Sequence, residues 1–573
     1  TPSNSSAASD VYKRQIIILT PYYQRLFMPQ KPEITRKRVY SDTTITLIDS
    51  SALKKRPIAT KKASENIKKE EPLSGFNFDN LRKIPEEEVI IETPLYKGVI
   101  STKGATIKKW IIKSYLKSDN SPVNLIDNNR RGNLSIAFLT VDDKILNFSD
   151  FGFLPVNLEK NDKGYYINVD KEEKKITFVL NIDKEKKVEK EFIFYPDRYD
   201  FDLKLKLVNL SDFFGARSYY VIWGSGLSFT EKNPLYEIRY SKAYALMGTE
   251  IEKMDAGKNT VEKSKALSGD TRWVAVRNKY FTMAIIPREK YGRGAVLKGV
   301  LRKETAVPQR KEYQVSLEMG YNMEPVHTDQ FTVYLGPLSY KLIKGFSVKL
   351  EKIMDFGWKY LRPLSKLIYH SLVLMYKVIP NYGFVIIVFA ILLNIILYPL
   401  TMKSYKSMKE MQVLQPKLME LKEKYKGDPQ RLNKETMKLY KEYGVNPMGS
   451  CLPLLLQMPV FFALYPVFRS TIEFRGAKFI WWIKDLSSPD TVAKLPFSLP
   501  MYGNEVNVLP IIWVVTMFIS QKMTMKDPKQ KFMVYFMPIM MLLFFNRLSS
   551  GLVLYWTIFN LLSVLQRYIT KSG

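Results

Sequence analysis

Hydrophobic positions change their period twice along this chain. Between residues 89 and 345 they come in short runs broken by turns, as in VIIETPLYKGVISTKGATIKKWIIKSYL and EFIFYPDRYDFDLKLKLVNL. In the second run Phe201, Leu203, Leu205 and Leu207 alternate with Asp202, Lys204 and Lys206, the twofold period of a half-buried strand. Such runs recur up to VYLGPL at 333–338, which predicts an all-β sandwich domain over 89–345. Over 346–375 the spacing becomes three and four, through Ile353, Phe356, Tyr360, Leu364, Leu367, Ile368 and Leu372, with Lys352, Lys359, Arg362 and Lys366 between. This predicts an amphipathic helix lying on a bilayer surface.

Beyond 375 the apolar runs lengthen, at 382–400, 451–468, 507–523, 532–545 and 551–569. Each is read as a membrane span. The fourth is short against the about 20 residues a span requires, but its Met and Phe content (Met533, Phe536, Met537, Met540) suits a locally thinned bilayer. Within the first, IIVFAILLNIILYPL carries a single amide, Asn394, just before a Tyr-Pro corner. An unpaired amide in hydrocarbon costs roughly 4 kcal/mol or more, so Asn394 requires a partner or water.

Residues 22–88 mix Lys, Ser, Thr, Pro and Glu with few apolar side chains and read as a flexible tether. Residues 1–21 read as non-native sequence followed by the outer end of a truncated first span, Ile16 to Thr20. Loop charge sets the orientation. Residues 402–447 hold eleven Lys/Arg against six acids, among them Lys403, Lys406, Lys409, Lys417, Lys422, Arg431, Lys434 and Lys438, and belong in the cytoplasm. The loop at 469–506, with five Lys/Arg against four acids, belongs outside, as does the β domain, and the C-terminus falls inside. The cytoplasmic loop reads as a helical hairpin whose second helix starts after Gly427-Asp428-Pro429, with Asp428 as N-cap. The fold class is thus an α-helical polytopic membrane domain, five complete spans and a truncated first, joined to an all-β periplasmic sandwich.

Composition changes this picture little. The mean hydropathy of −0.16 averages a polar half and an apolar half. A net charge of +31 fits an anionic membrane surface or a ribosome contact, and the scattered basic residues form no nucleic-acid-binding motif. One cysteine, Cys451, excludes an intrachain disulfide and a cysteine metal cluster, and His327 and His370 stand far apart without a carboxylate motif. No cofactor is implied, and neither metal nor catalytic residues are assigned.

Four segments together identify the family that the chain resembles. They are YPLTMKSYKSMKEMQVLQPKL at 398–418, LYKEYGVNPMGSCLPLLLQMPVFFALYPVF at 439–468, TMFISQKM at 516–523 and MPIMMLLFFNRLSSGLVLYWTIFNLLSVLQ at 537–566. They resemble, in order over 380–570, the YidC membrane protein insertases of the YidC/Oxa/Alb family. The β domain, from ETPLYKGVISTKGATIKKW to YLGPLSYKL, resembles the large periplasmic domain of the Gram-negative branch.

The resemblance implies an inner-membrane insertase and chaperone that takes up hydrophobic segments of nascent membrane proteins through a hydrophilic groove, alone or beside the Sec translocon. The ribosome or signal recognition machinery would meet the cytoplasmic loops. No nucleotide is needed, because burial of the client's apolar segment drives the step. Intramembrane polar residues are the candidate groove lining: Asn394, Gln457, Tyr555 and Thr557, with Trp556 beside them. The client helix would slide along Leu454, Leu455, Met458, Phe461, Phe462, Met533, Phe536, Met537 and Met540, where flexible methionines suit clients of differing shape. One departure stands out: relatives usually hold a cation where this chain has Asn394, so dependence on groove charge is open. The alternatives are a secondary transporter or channel, which would call for intramembrane acids or an internal repeat, and an envelope enzyme, for which the β domain offers His327 and no nucleophile motif.

Overall fold

The computed structural model describes residues 78–126, 132–141, 144–161, 164–257, 262–302, 310–445, 452–524 and 531–572. The truncated first span and most of the tether lie outside these residues, as does Cys451.

The β domain is a sandwich of a six-stranded and a fourteen-stranded sheet. Strand Asp200–Val208 shows how alternation builds it. Phe201, Leu203, Leu205 and Leu207 are at most 2% exposed, while Asp202, Lys204 and Lys206 point outward. This strand pairs antiparallel with Lys187–Phe194 on one side and Val326–Pro337 on the other. The sheets are joined through Trp110, fully buried on the smaller sheet, whose indole N–H donates to the Leu335 carbonyl of the larger at 3.0 Å. Lys190 also points inward, and its ammonium donates to the carbonyls of Gly104 at 2.7 Å and Leu134 at 2.6 Å. Burial pulls its pKa down to about 7; the carbonyl contacts offset part of the desolvation that a buried charge suffers.

Eleven helices lie among the described residues. Asp79–Lys83 (α1) and Pro234–Glu237 (α2) belong to the β domain. Residues 346–375, expected to form one amphipathic helix, instead break into pieces. Tyr340–Lys344 (α3) precedes them, a short 3₁₀ turn covers Leu350–Ile353, and the helix proper, Arg362–Tyr376 (α4), starts with Pro363 in its first turn. Left-handed backbone at Ser347, Lys349 and Gly357 interrupts the helical path.

The helical region comprises Tyr382–Val413 (α5), Gln415–Lys424 (α6), Pro429–Glu442 (α7), Leu452–Ser470 (α8), Val508–Thr524 (α9), Lys531–Phe545 (α10) and Ser550–Ser572 (α11). By length and composition α5 and α11 can cross a membrane, while α9 and α10 are shorter and apolar. The Tyr398-Pro399 corner is not a corner: α5 runs through Pro399 for 32 residues. Proline removes one intrahelical bond and often kinks a helix, but long helices tolerate it where neighbours re-satisfy the freed group. Asp428 caps α7, accepting from the Gln430 and Arg431 amides at 3.1 and 3.0 Å.

The two halves share a core. Tyr244, Leu246, Trp273 and Tyr334 of the sandwich belong to one buried cluster with Leu372 of α4, Ile386 of α5, Phe468 of α8 and Leu552 of α11. Polar contacts lock the segment after α8 into the β domain. Arg475 pairs with Glu231 at 2.7 Å, and the Tyr280 hydroxyl donates to the Arg469 carbonyl at 3.2 Å. A close approach seats the start of α5: a Cβ on Gly383 would lie 1.9 Å from the Phe479 ring.

Candidate functional site

Helices α5, α9 and α11 meet along a line of polar side chains remote from the β domain. On α11, Asn560, Ser563 and Arg567 recur at three and four residues and so share a face, with Gln566 beside them. Gln566 donates its amide N–H to Asn394 Oδ1 on α5. Asn560 donates to Thr516 Oγ on α9 at 3.0 Å. Arg567 donates to Ser520 Oγ at 2.5 Å and to the Ser520 carbonyl at 3.3 Å. At 1.5 Å per residue Asn394 lies about 18 Å along α5 and Gln566 about 24 Å along α11 from the ends packed against the β domain. Asn394 itself is only 5% exposed.

Nearer the β domain the same helices close on apolar contacts. Tyr555 is fully buried, its ring packed on Phe389 and Phe559. Trp513 stacks on Phe545 at 4.0 Å, and Trp556 packs against both Phe461 and Phe545. Loops cap this end. Asp490 accepts from the Val508 and Leu509 amides at the start of α9, and Asn546 donates to the carbonyls of Tyr502 and Glu505.

The expected groove residues therefore divide. Asn394 has a partner, but it is Gln566 and not Gln457 or Tyr555. Gln457 is half-buried on α8. The Tyr555 hydroxyl and the Trp556 indole N–H have no partner among the described residues. Thr557 turns its hydroxyl back onto the Val553 carbonyl of its own helix at 2.8 Å. Missed altogether were Thr516, Ser520, Asn560, Ser563, Gln566 and Arg567. Their three-and-four spacing on the last helix was visible, but polar residues near a span's end read as interface.

Of the expected sliding surface, Phe536 and Met537 are exposed and Met458, Phe461, Phe462 and Met540 are partly buried. The backbone of Leu454, Leu455 and Met533 is helical, and their side chains lie outside the described residues. Lys403, Lys406, Lys409, Lys417, Arg431, Lys434 and Lys438 are exposed, and Lys422 is partly so. Lys417 bonds the Tyr443 hydroxyl, and Arg431 lies 5.4 Å from the Tyr425 ring centre.

In the β domain both ring nitrogens of His327 lie within hydrogen-bond distance of a partner, Asn322 Oδ1 and Asp329 Oδ2. Among the described residues no group of His, Cys, Asp or Glu could hold a metal ion.

The family described as YidC periplasmic domain matches residues 88–370, and the 60Kd inner membrane protein family matches 374–573. A membrane protein insertase YidC of Chlorobium luteolum is 40% identical over 493 residues, 85% of this chain and 83% of that protein. The chain belongs to the YidC membrane protein insertase family. The YidC insertase of Chloroherpeton thalassium is 36% identical over 559 residues, 96% of this chain and 93% of that protein. An active YidC insertase crystal structure with the first transmembrane domain resolved aligns at 18% identity and a TM-score of 0.37, over 86% of this chain and 96% of that one. As a YidC insertase the protein acts on nascent membrane proteins and is not an enzyme. It is an inner-membrane protein with a periplasmic β-sandwich and a helical C-terminal region.

Proposed function

We propose that the polar line between α5, α9 and α11 is a hydrophilic groove that receives the polar flank of a client. The observation that carries it is the contact between Asn394 and Gln566, flanked by Asn560 with Thr516 and Arg567 with Ser520. A charge, amide or hydroxyl inside hydrocarbon is costly, and three helices that each place polar groups there share that cost by facing a common polar path. The groove opens toward the cytoplasm and ends outward at the plug of Tyr555, Trp513 and Phe545. The client's apolar helix leaves along the exposed face of α10, where Phe536 and Met537 lie, beside the partly buried Met458, Phe461 and Phe462 of α8.

Five complete spans and a first span, a cytoplasmic hairpin made by α6 and α7, and a cytoplasmic C-terminus complete this reading. Helix α4 lies on the outer bilayer surface, residues 22–88 tether the β domain to the first span, and Sec or the ribosome meets the basic loops. Asn394 takes its place in the groove as a neutral donor and acceptor. The membrane cation usual at that position in relatives is here supplied by Arg567.

Cysteine accessibility tests the groove. In a Cys451→Ser background, cysteines at 394, 560 and 566 should react from the cytoplasmic side with a membrane-impermeant maleimide, and cysteines at 389 and 555 should not. Uniform protection of all five positions overturns the groove. Insertion of a small client in YidC-depleted cells, rescued by the full chain, gives the functional readout.

A further inference from the structure

Outside the groove the structure holds a basic pocket at the junction of the β domain and α4. It is an open cavity of about 430 Å³ between α3 and α4, lined by Lys341, Lys344, His370 and Lys377 over a floor of Tyr340 and Val373. Among the described residues neither these lysines nor Lys366 has a carboxylate within ion-pair distance. Aromatic faces hold the cations instead: Lys344 and Lys366 each lie 5.5 Å from the Tyr340 ring centre. His370 is oriented by its Nδ1–H, which donates to the Lys366 carbonyl at 2.6 Å and leaves Nε2 available. One acid, Glu473, sits behind Tyr369, accepting from its hydroxyl at 2.7 Å and from Ser339 at 3.2 Å. Burial pushes its carboxyl above the usual range, which weakens its opposition to an anion.

The helix that supplies the pocket carries a second stripe. Lys366, His370, Val373 and Lys377 form one line at spacings of four, three and four. Leu367, Ser371 and Leu374 form the next, about 100° around the axis, and Val378 follows in the turn just beyond the helix. Leu367 is 64%, Leu374 63% and Val378 82% exposed. Bare leucines beside a cluster of uncompensated lysines are the chemistry of a headgroup boundary, with hydrocarbon on one side and phosphate on the other.

We propose that this pocket binds the phosphate of an anionic phospholipid headgroup in the outer leaflet, whose acyl chains lie against Leu367, Leu374 and Val378. The site rests on the reading that α4 lies on the bilayer surface. A bound lipid there would anchor the sandwich against the membrane through the cation cluster, independently of the groove.

The test uses the full chain in neutral detergent micelles, titrated with dihexanoyl phosphatidylglycerol, dihexanoyl phosphatidylcholine and inorganic phosphate. A spin label at Leu374→Cys in the Cys451→Ser background, in lipid nanodiscs, reports immersion of α4. The expected result is binding of the glycerol lipid about tenfold tighter than of the choline lipid or of phosphate. Selectivity should be lost in Lys341→Gln/Lys344→Gln/Lys377→Gln at unchanged melting temperature and kept in the triple Lys→Arg variant. The label should meet hydrocarbon. Equal binding of the two lipids, selectivity that survives the Gln substitutions, or phosphate binding as tightly as the glycerol lipid overturns the proposal. A label in water refutes the surface placement and with it the lipid, whereas a label in hydrocarbon with no lipid selectivity refutes the pocket alone.

Discussion

Replacing Arg475 with methionine should loosen the outer segment that joins α8 to the β domain. Its guanidinium donates to Glu231 at 2.7 Å, to the Leu116 carbonyl at 2.9 Å and to the Thr230 carbonyl at 3.3 Å, lying against the rings of Tyr280 and Phe281. The paired side chains are 7% and 15% exposed. Removing one member of a buried pair costs about 3–5 kcal/mol, because the survivor is left charged and poorly solvated. Glu231 keeps the Thr230 hydroxyl at 3.1 Å, which places the loss near the lower end, about 3 kcal/mol. Tyr280 with Arg469 and Tyr369 with Glu473 still hold the segment, so the loss should appear as local opening. Hydrogen exchange reads it directly. The amides of Arg475 and Ala477, bonded to the Ile472 and Phe474 carbonyls, should exchange about 100-fold faster at tenfold per about 1.4 kcal/mol. The double variant Arg475→Met/Glu231→Gln should recover at least half of the protection, since it leaves no unpaired charge. Exchange within threefold of the parent protein would show that Arg475 does not latch the segment, and the argument from burial would fail.

Gln566→Leu should lower stability by about 1–3 kcal/mol, because it takes away the hydrogen bond of the buried Asn394 amide, while the double variant Asn394→Leu/Gln566→Leu should regain most of it in chemical denaturation and still insert clients poorly. Glu237→Gln should flatten the pH dependence of β-domain stability between pH 4.5 and about 7. Burial raises the folded pKa of Glu237 to about 7, so the folded state binds the extra proton in that window and stability falls as pH rises through it. A glutamine can still accept from the Thr230 and Glu231 amides and donate to the Thr230 hydroxyl, so thermal melts at pH 5 and 7.5 isolate the charge. Gly383→Ala should cost about 1–3 kcal/mol by pushing Phe479 out of its seat, seen as a lowered melting temperature with α-helical circular dichroism retained.

Strand alternation was legible where one face of a strand is wet: Phe201 to Leu207 could be assigned to the core residue by residue. The α7 start was legible from Asp428 and Pro429, since capping is a local rule. The course of α5 was not, because whether Pro399 ends a helix depends on what surrounds the freed carbonyl. Asn394 announced itself as a lone amide among aliphatic neighbours. Its partner did not, because Gln566 lies 172 positions away on a helix whose polar end resembles any membrane boundary, and no periodicity within one segment reports which helices touch.

The shared cluster of Tyr244, Leu246, Trp273 and Tyr334 with α4, α5, α8 and α11 bears on where this protein can be divided. A cut at the last strand, after residue 337, would leave a sandwich with a greasy, aromatic floor that self-associates. A cut that retains Ile368 and Tyr369 keeps part of that floor roofed. The periplasmic family match runs to residue 370 and so includes most of α4. The sandwich is therefore not a detachable ornament. Load placed on it would pass through that shared cluster to the ends of α5, α8 and α11 that belong to it.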